Sequence, residues 1–255
     1  MSAKKMVTPG DIAQAIISSP KYRAIAPDAV YRIVREEHAK GGKDCEKRAR
    51  NRLHQIADAF MDQRQQKALC QLMEQGELDG ALEQHASTRE RMAIRDEYLA
   101  LVARHCPAGG SICDAACGLD PLLLGAHGYS VTGLDIQLTC VDAINEWSRR
   151  VGWNVRARGA DLIGIEELPE CDLTLFMKLL PVLDAQRAGE GMRVMQLARS
   201  ERVLVSFPTR TLGGRGVGME RNYGERFEAA LPEGFEILER MALANELFYA
   251  LRRVR

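Results

Sequence analysis

Three acidic residues, each closing a short apolar run, carry the first chemical signal in the chain. Ser111 to Cys113 ends in Asp114, Tyr129 to Leu134 ends in Asp135, and Asn154 to Ala160 ends in Asp161. Asp135 follows Asp114 by 21 residues. An acid at the tip of the second strand of a nucleotide-binding unit accepts hydrogen bonds from both ribose hydroxyls. Asp161 can accept one from an adenine amino group. Between the first two acids, Ala115-Ala116-Cys117-Gly118-Leu119-Asp120-Pro121 reads as a tight turn into a helix. Small residues there let a cofactor approach the backbone around Ala116 and Gly118. Pro121 suits the first helical turn, where its missing N–H has no partner to lose. Only Gly118 remains of the glycines that a pyrophosphate site requires. The pattern therefore suits a nucleoside lacking a pyrophosphate, of which S-adenosylmethionine is the common example. A β–α turn without ligand is the reading that this turn leaves open by itself.

Other cations and glycines surround this core. Asp172 to Met177 reads as a buried strand continuing to Pro181, with Lys178 at its carboxyl end, where α/β folds place their sites. Lysine is rarely buried unpaired, so Lys178 belongs at a cleft mouth or in a structural salt bridge. Ser87 and Glu90 form a capping-box pattern, predicting a helix from there to about His105. Arg89 in its first turn opposes the helix dipole. A bound anion would offset that, as would pairing with a neighbouring glutamate. After a fifth strand (202–208), the loop containing Arg210, Gly213-Gly214, Arg215 and Gly216 is cationic. It is placed to cover the cleft or to grip a phosphate backbone.

These residues must be positioned by a parallel sheet. Strands are expected at 111–114, 129–135, 154–160, 172–177, 202–208, 235–238 and 246–251, the last antiparallel, and residues 1–76 read as helices. Pro9-Gly10-Asp11 and Pro27-Asp28 start two helices, Asp44 caps a third, and a fourth over 62–75 is ended by Gly76. Overall charge is zero, yet residues 1–67 hold 14 Lys/Arg against 8 Asp/Glu, a net of +6. Such a split predicts that the N-terminal region faces a polyanion, a solvated bundle with incidental charge being the alternative. Lys43, Lys47, Arg48, Arg50 and Arg52 on or beside the third helix are the candidate phosphate contacts, which would position RNA without reading its sequence. Seven cysteines, none in a CxxC pair, predict free thiols in a reducing cytoplasm and no metal site. No apolar run approaches the ~20 residues of a membrane span.

The segments HASTRER (85–91), DAACGLDPLLL (114–124), GLDIQ (133–137), FMKLLPVL (176–183) and SFPTRTLGGRGVGME (206–220) resemble those of the aminoglycoside-resistance 16S ribosomal RNA methyltransferases, the Arm family. The likeness runs from Lys21-Tyr22-Arg23 to the C-terminus. It implies an α/β fold, a Rossmann-like seven-stranded class I methyltransferase sheet (77–255) behind an all-helical RNA-docking domain (1–76). It implies methylation of ring nitrogen 7 of a decoding-site guanine in the assembled small ribosomal subunit, by a monomer that uses S-adenosylmethionine and releases S-adenosylhomocysteine. Carried over, Thr88 and Arg89 would hold the methionine carboxylate, Asp135 the ribose and Asp161 the adenine. Lys178 and Arg215 would act near the target guanine. Asp120 stands where the family is expected to have Asn, which places one more negative charge close to the cofactor.

What the sequence lacks agrees with this chemistry. Ring nitrogen 7 of guanine has a free lone pair and no proton to lose, so attack on a sulfonium methyl needs alignment more than a base. An exocyclic amine target would call for [DN]PP[YF] where Lys178-Leu179-Leu180-Pro181 stands, and cytosine carbon methylation for a Pro-Cys pair that is absent. Two other functions remain compatible with the residues: a non-catalytic RNA-binding factor on the same fold, and a methyltransferase of a small molecule.

Overall fold

The structure is a computed structural model that describes residues 7–209 and 219–254. At its N-terminal end, Thr8 and Asp11 exchange hydrogen bonds through a capping box that starts α1 (Pro9–Ile17). Proline opens α2 (Pro27–Ala39), and α3 (Cys45–Leu53) runs on into a π-helical turn at His54–Asp58. Asp44 precedes α3 as expected, but its side chain makes no capping hydrogen bond. Asp62 and Gln65 form a second capping box at the start of α4 (Gln63–Gln75), which ends at left-handed Gly76.

Short α5 (Leu78–Leu82) leads to α6 (Ala86–Met92) and α7 (Arg95–His105). The single helix predicted from Ser87 is thus two, and its capping box does not form. Ser87 Oγ accepts from Arg91 at 3.1 Å, while Glu90 reaches away to Lys178. A half-buried ammonium attracts the carboxylate more strongly than a backbone N–H that water could satisfy.

The remainder is β1 (Ser111–Ala115), α8 (Asp120–Ala126), β2 (Ser130–Asp135), α9 (Leu138–Val151), β3 (Val155–Gly159), β4 (Leu173–Met177), α10 (Leu180–Gln186), α11 (Glu190–Gln196), β5 (Arg202–Pro208), α12 (Met219–Ala230), β6 (Phe235–Leu243) and β7 (Glu246–Arg253). The strands form one sheet in the order β3-β2-β1-β4-β5-β7-β6. Strands β1 to β5 pair in parallel, and β7 is antiparallel to both its neighbours. Strand order reverses between β1 and β4, which opens a crevice at their carboxyl ends. The strand ends at Met177, where Lys178 turns into the left-handed region, and the run on to Pro181 is the start of α10, with Pro181 in its first turn.

Apolar packing divides the chain. Ala13, Ile33, Val34, Ala49 and Leu53 close one cluster among α1–α3. Met61, Leu69 and Met73 instead pack with Leu122, Ile144 and Trp147 against the sheet. The packing division therefore falls between Ala57 and Met61, ahead of the 76/77 boundary read from the sequence. Leu69 and Met73, four residues apart, give one apolar stripe whichever core they face.

Candidate active site

The crevice at the carboxyl ends of β1, β2 and β4 is a partly enclosed cleft lined by Ala116, Asp135, Ile136, Asp161, Leu162 and Lys178 among others. Two non-glycine residues on its wall, Ala116 and Lys178, hold φ of +58° and +56°. Such backbone costs about 1–3 kcal/mol and persists where the surrounding structure imposes it, commonly at functional sites. Gly118 also has positive φ, +52°, and a Cβ there would lie 2.4 Å from the His85 ring. No other residue fits.

Asp135 sits at the end of β2, 8% exposed, and its carboxylate accepts from Gly118 N and Gln137 N, each at 2.8 Å. The β1 turn and the start of α9 are thereby pinned to one side chain. Asp161, 7% exposed, is gripped by Arg32 of α2 through Nε and, at 3.3 Å, through a terminal nitrogen. The two acids predicted to bind a nucleoside therefore line one cleft. Asp114 lies beneath it, fully buried, with neither carboxyl oxygen hydrogen-bonded. Burial pushes its pKa well above the carboxylate range, reinforced by the nearby charges of Asp120 and Asp135. Gln137, which lines the cleft, also has an unpartnered buried Oε1. Asp135, Asp161 and Gln137 Oε1 form an acceptor set that fits the hydroxyls and amino group of a nucleoside.

Thr88 and Arg89 are not brought into the cleft. Thr88 is fully buried, donating to Asp120 at 2.9 Å and accepting from Leu119 N at 3.2 Å. Arg89 is exposed and donates to the Glu83 carbonyl at 3.2 Å. The same segment contributes His85 and Ser87 instead. His85 stacks on Phe60, with ring centroids 6.0 Å apart. Burial, with Arg91 and Arg89 adding to it, lowers its pKa to about 3. A neutral native histidine whose unfolded pKa is 6.5 contributes stability in full above that pH, and this is lost as pH falls toward 3. Thermal melts should show the parent losing about 2 kcal/mol more than His85→Gln on going from about pH 6.5 to about pH 5. Parallel curves would exclude the assignment.

Lys178 lines the cleft and is ion-paired at once. It contacts Glu90, lies 3.1 Å from Glu246, and its backbone N–H bonds Ser206 Oγ at 3.0 Å. Glu246, 2% exposed, also accepts from Ser206 and lies 3.7 Å from Arg91. Arg91 is fully buried and donates to Asp120 through one terminal nitrogen, the other reaching Ser87 Oγ at 3.1 Å. Burial opposes its charge, but Asp120 and Glu246 outweigh burial and raise its pKa. Sequence reasoning missed Arg32, Arg91 and Glu246. Glu246 alone left a signal, as the acid opening the apolar run Leu247 to Leu251.

The basic helix divides in two. Lys43 and Lys47 are exposed around a shallow groove shared with Tyr22, Arg50 and Asn51. Arg50 pairs with Glu46 at 2.8 Å and lies over the Tyr22 ring. Arg48 and Arg52 turn inward to Glu37, which is 1% exposed, at 2.9 and 3.0 Å. Burial works against the Glu37 charge, yet Lys40, Arg48 and Arg52 hold its pKa at about 2. Both arginines therefore join α2 to α3, since a buried carboxylate requires its cations. Arg210 and Arg215 lie outside the described residues. Among those residues no helix is long and apolar enough to cross a membrane, and no group of three potential metal ligands occurs.

The ribosomal RNA methyltransferase (FmrO) family model matches residues 18–250. A 16S rRNA (guanine(1405)-N(7))-methyltransferase of Serratia marcescens is 39% identical over 95% of this chain and 98% of its own. The crystal structure of 16S rRNA methyltransferase RmtF in complex with S-adenosyl-L-homocysteine superposes with a TM-score of 0.89 at 40% identity, covering 100% of both chains. That of the 16S rRNA methylase RmtB gives 0.88 at 33% identity, covering 97% of this chain and 99% of that one. With the family model matching residues 18–250 and a relative 39% identical over 95% of this sequence, the chain belongs to the ribosomal RNA methyltransferase (FmrO) family.

Proposed function

We propose that this chain transfers a methyl group from S-adenosylmethionine to N7 of guanine 1405 of 16S ribosomal RNA, and that the methylated subunit resists aminoglycosides. The observation that carries the reading is the connection of two hollows. The cleft bearing Asp135 and Asp161 shares Phe60, Lys178 and Val182 with a wider outer cleft, lined also by Glu90, Pro208 and Tyr223. A nucleoside fits the first, and an extruded base has room in the second. When bound, S-adenosylmethionine supplies an electrophilic methyl on a sulfonium. Guanine N7 offers a lone pair and no proton, so the residues align rather than deprotonate. Asp135 and Asp161 hold the nucleoside end. Lys178, fixed by Glu90 and Glu246, stands where the two hollows meet, beside the target nucleotide. His85, held neutral and stacked, serves as wall rather than base. The substrate is the assembled small subunit, met in the cytoplasm by a monomer whose α1–α3 face docks on folded RNA.

Primer extension after borohydride and aniline cleavage tests the reaction on small subunits incubated with the protein and S-adenosylmethionine. A single new stop at guanine 1405 is expected; no stop, with S-adenosylhomocysteine still bound in calorimetry, would reject the substrate while leaving the cofactor assignment. Substituting Lys43 and Lys47 by alanine should lower the salt slope of subunit binding by about 1.5, the release of roughly two counterions, and leave cofactor affinity unchanged. An unaltered slope would remove this face from the docking surface.

A further inference from the structure

Asp161 closes β3, yet the groups that hold it come from elsewhere. Arg32 lies on α2, 129 residues earlier, and is itself only 9% exposed. Its fork spans both carboxylate oxygens, while its second terminal nitrogen is fixed by Glu36 at 3.3 Å. The nitrogen that meets Asp161 Oδ1 also donates to Gln186 of α10 at 3.0 Å. On the same helix α2, Asp28 accepts from Asp161 N at 2.9 Å. Nearby, Ala26 N donates to Ile136 O and Leu138 N donates to Ala24 O, both at 2.7 Å. Arg32, Asp161, Ile136 and Gln186 all line the cofactor cleft. The N-terminal helices thus form one wall of the cleft.

We propose that Arg32 is the positioning residue of the adenine end of the cofactor site, orienting the Asp161 carboxylate so that it accepts from the cofactor's amino group. A carboxylate turns freely about its terminal torsion unless both oxygens are held. A planar guanidinium does this and a lysine does not, since only the former presents paired donors in a fixed fork. Arg32 occupies one lone-pair direction of Asp161 Oδ2 and leaves another, because an ionised carboxylate offers about four acceptor sites. The proposal rests on the reading of Asp161 as the adenine contact.

The test compares two ligands by calorimetry: S-adenosylhomocysteine, and its inosine analogue, in which a carbonyl replaces the adenine amino group. The unaltered chain should prefer the adenosine form by at least about tenfold, the effect of one charge-assisted hydrogen bond. In Arg32→Met the preference should fall to within about threefold, and in Arg32→Lys to between the two. Arg32→Lys keeps the charge and the stem, so it answers the question should the methionine variant fail to fold in thermal melts. Equal weakening of both ligands with the preference intact would overturn the positioning role and leave Arg32 as packing. No preference in the unaltered chain would overturn the adenine reading of Asp161, and the positioning role with it.

Discussion

Asp135→Ala is expected to abolish measurable binding of S-adenosylhomocysteine, a loss of at least about a hundredfold, while the sheet remains folded. Two effects combine. The side chain is the acceptor proposed for the ribose, and it also holds Gly118 N and Gln137 N at 2.8 Å. Each backbone donor left buried without a partner costs about 1–3 kcal/mol. Asp135→Asn separates the contributions. Its amide oxygen can still accept from one of the two N–H groups, but its NH₂ faces the other with donor against donor. Binding should be weakened there by about 2–3 kcal/mol, the worth of hydrogen bonds to an ionised group. Calorimetry on both variants, beside circular dichroism, reads the outcome. Near-parental affinity in Asp135→Ala would remove this acid from the cofactor site.

Arg91→Met should lower stability by about 3–5 kcal/mol, because it leaves the Asp120 carboxylate buried without a cation and Glu246 with Lys178 alone. For a chain of this size the melting temperature should fall by roughly 10 °C. Asp120→Asn makes the contrast. The amide keeps an acceptor for Thr88, Arg91 retains Glu246, and the carboxyl of Asp114 loses a like-charged neighbour. It should cost less than about 2 kcal/mol. If Arg91→Met melts with the parent, the network contributes no stability and the charge at Asp120 has no structural consequence.

The contrast also explains what the sequence could reveal. Asp135 was legible because an acid that closes an apolar run has one place in a parallel sheet. The strand ladder followed from the same alternation of short apolar runs and turns, and β7 was correctly expected to be antiparallel. Arg32 was not legible: it stands in α2 beside Ile33 and Val34, and its partner is 129 residues away. Lys47 and Arg48 look alike as neighbouring cations, and only the packing of α2 on α3 turns one to solvent and the other to Glu37. Ser87 and Glu90 had the spacing of a cap, but Glu90 had a stronger partner 88 residues on. Spacing reports local geometry, and these residues answer to long-range charge.

The seam between α2 and the ends of β2 and β3 bears on how the chain is made. Arg32 and Asp28 precede the aspartate they hold by 129 and 133 residues. During synthesis α1–α3 can close their own apolar cluster by local contacts, which form fast. The wall they lend to the cleft must wait until β3 has emerged and paired. A wall made early in synthesis thus reaches its place in the site only after later strands have formed, and a bound nucleoside, present only in the finished state, draws that docking forward by mass action.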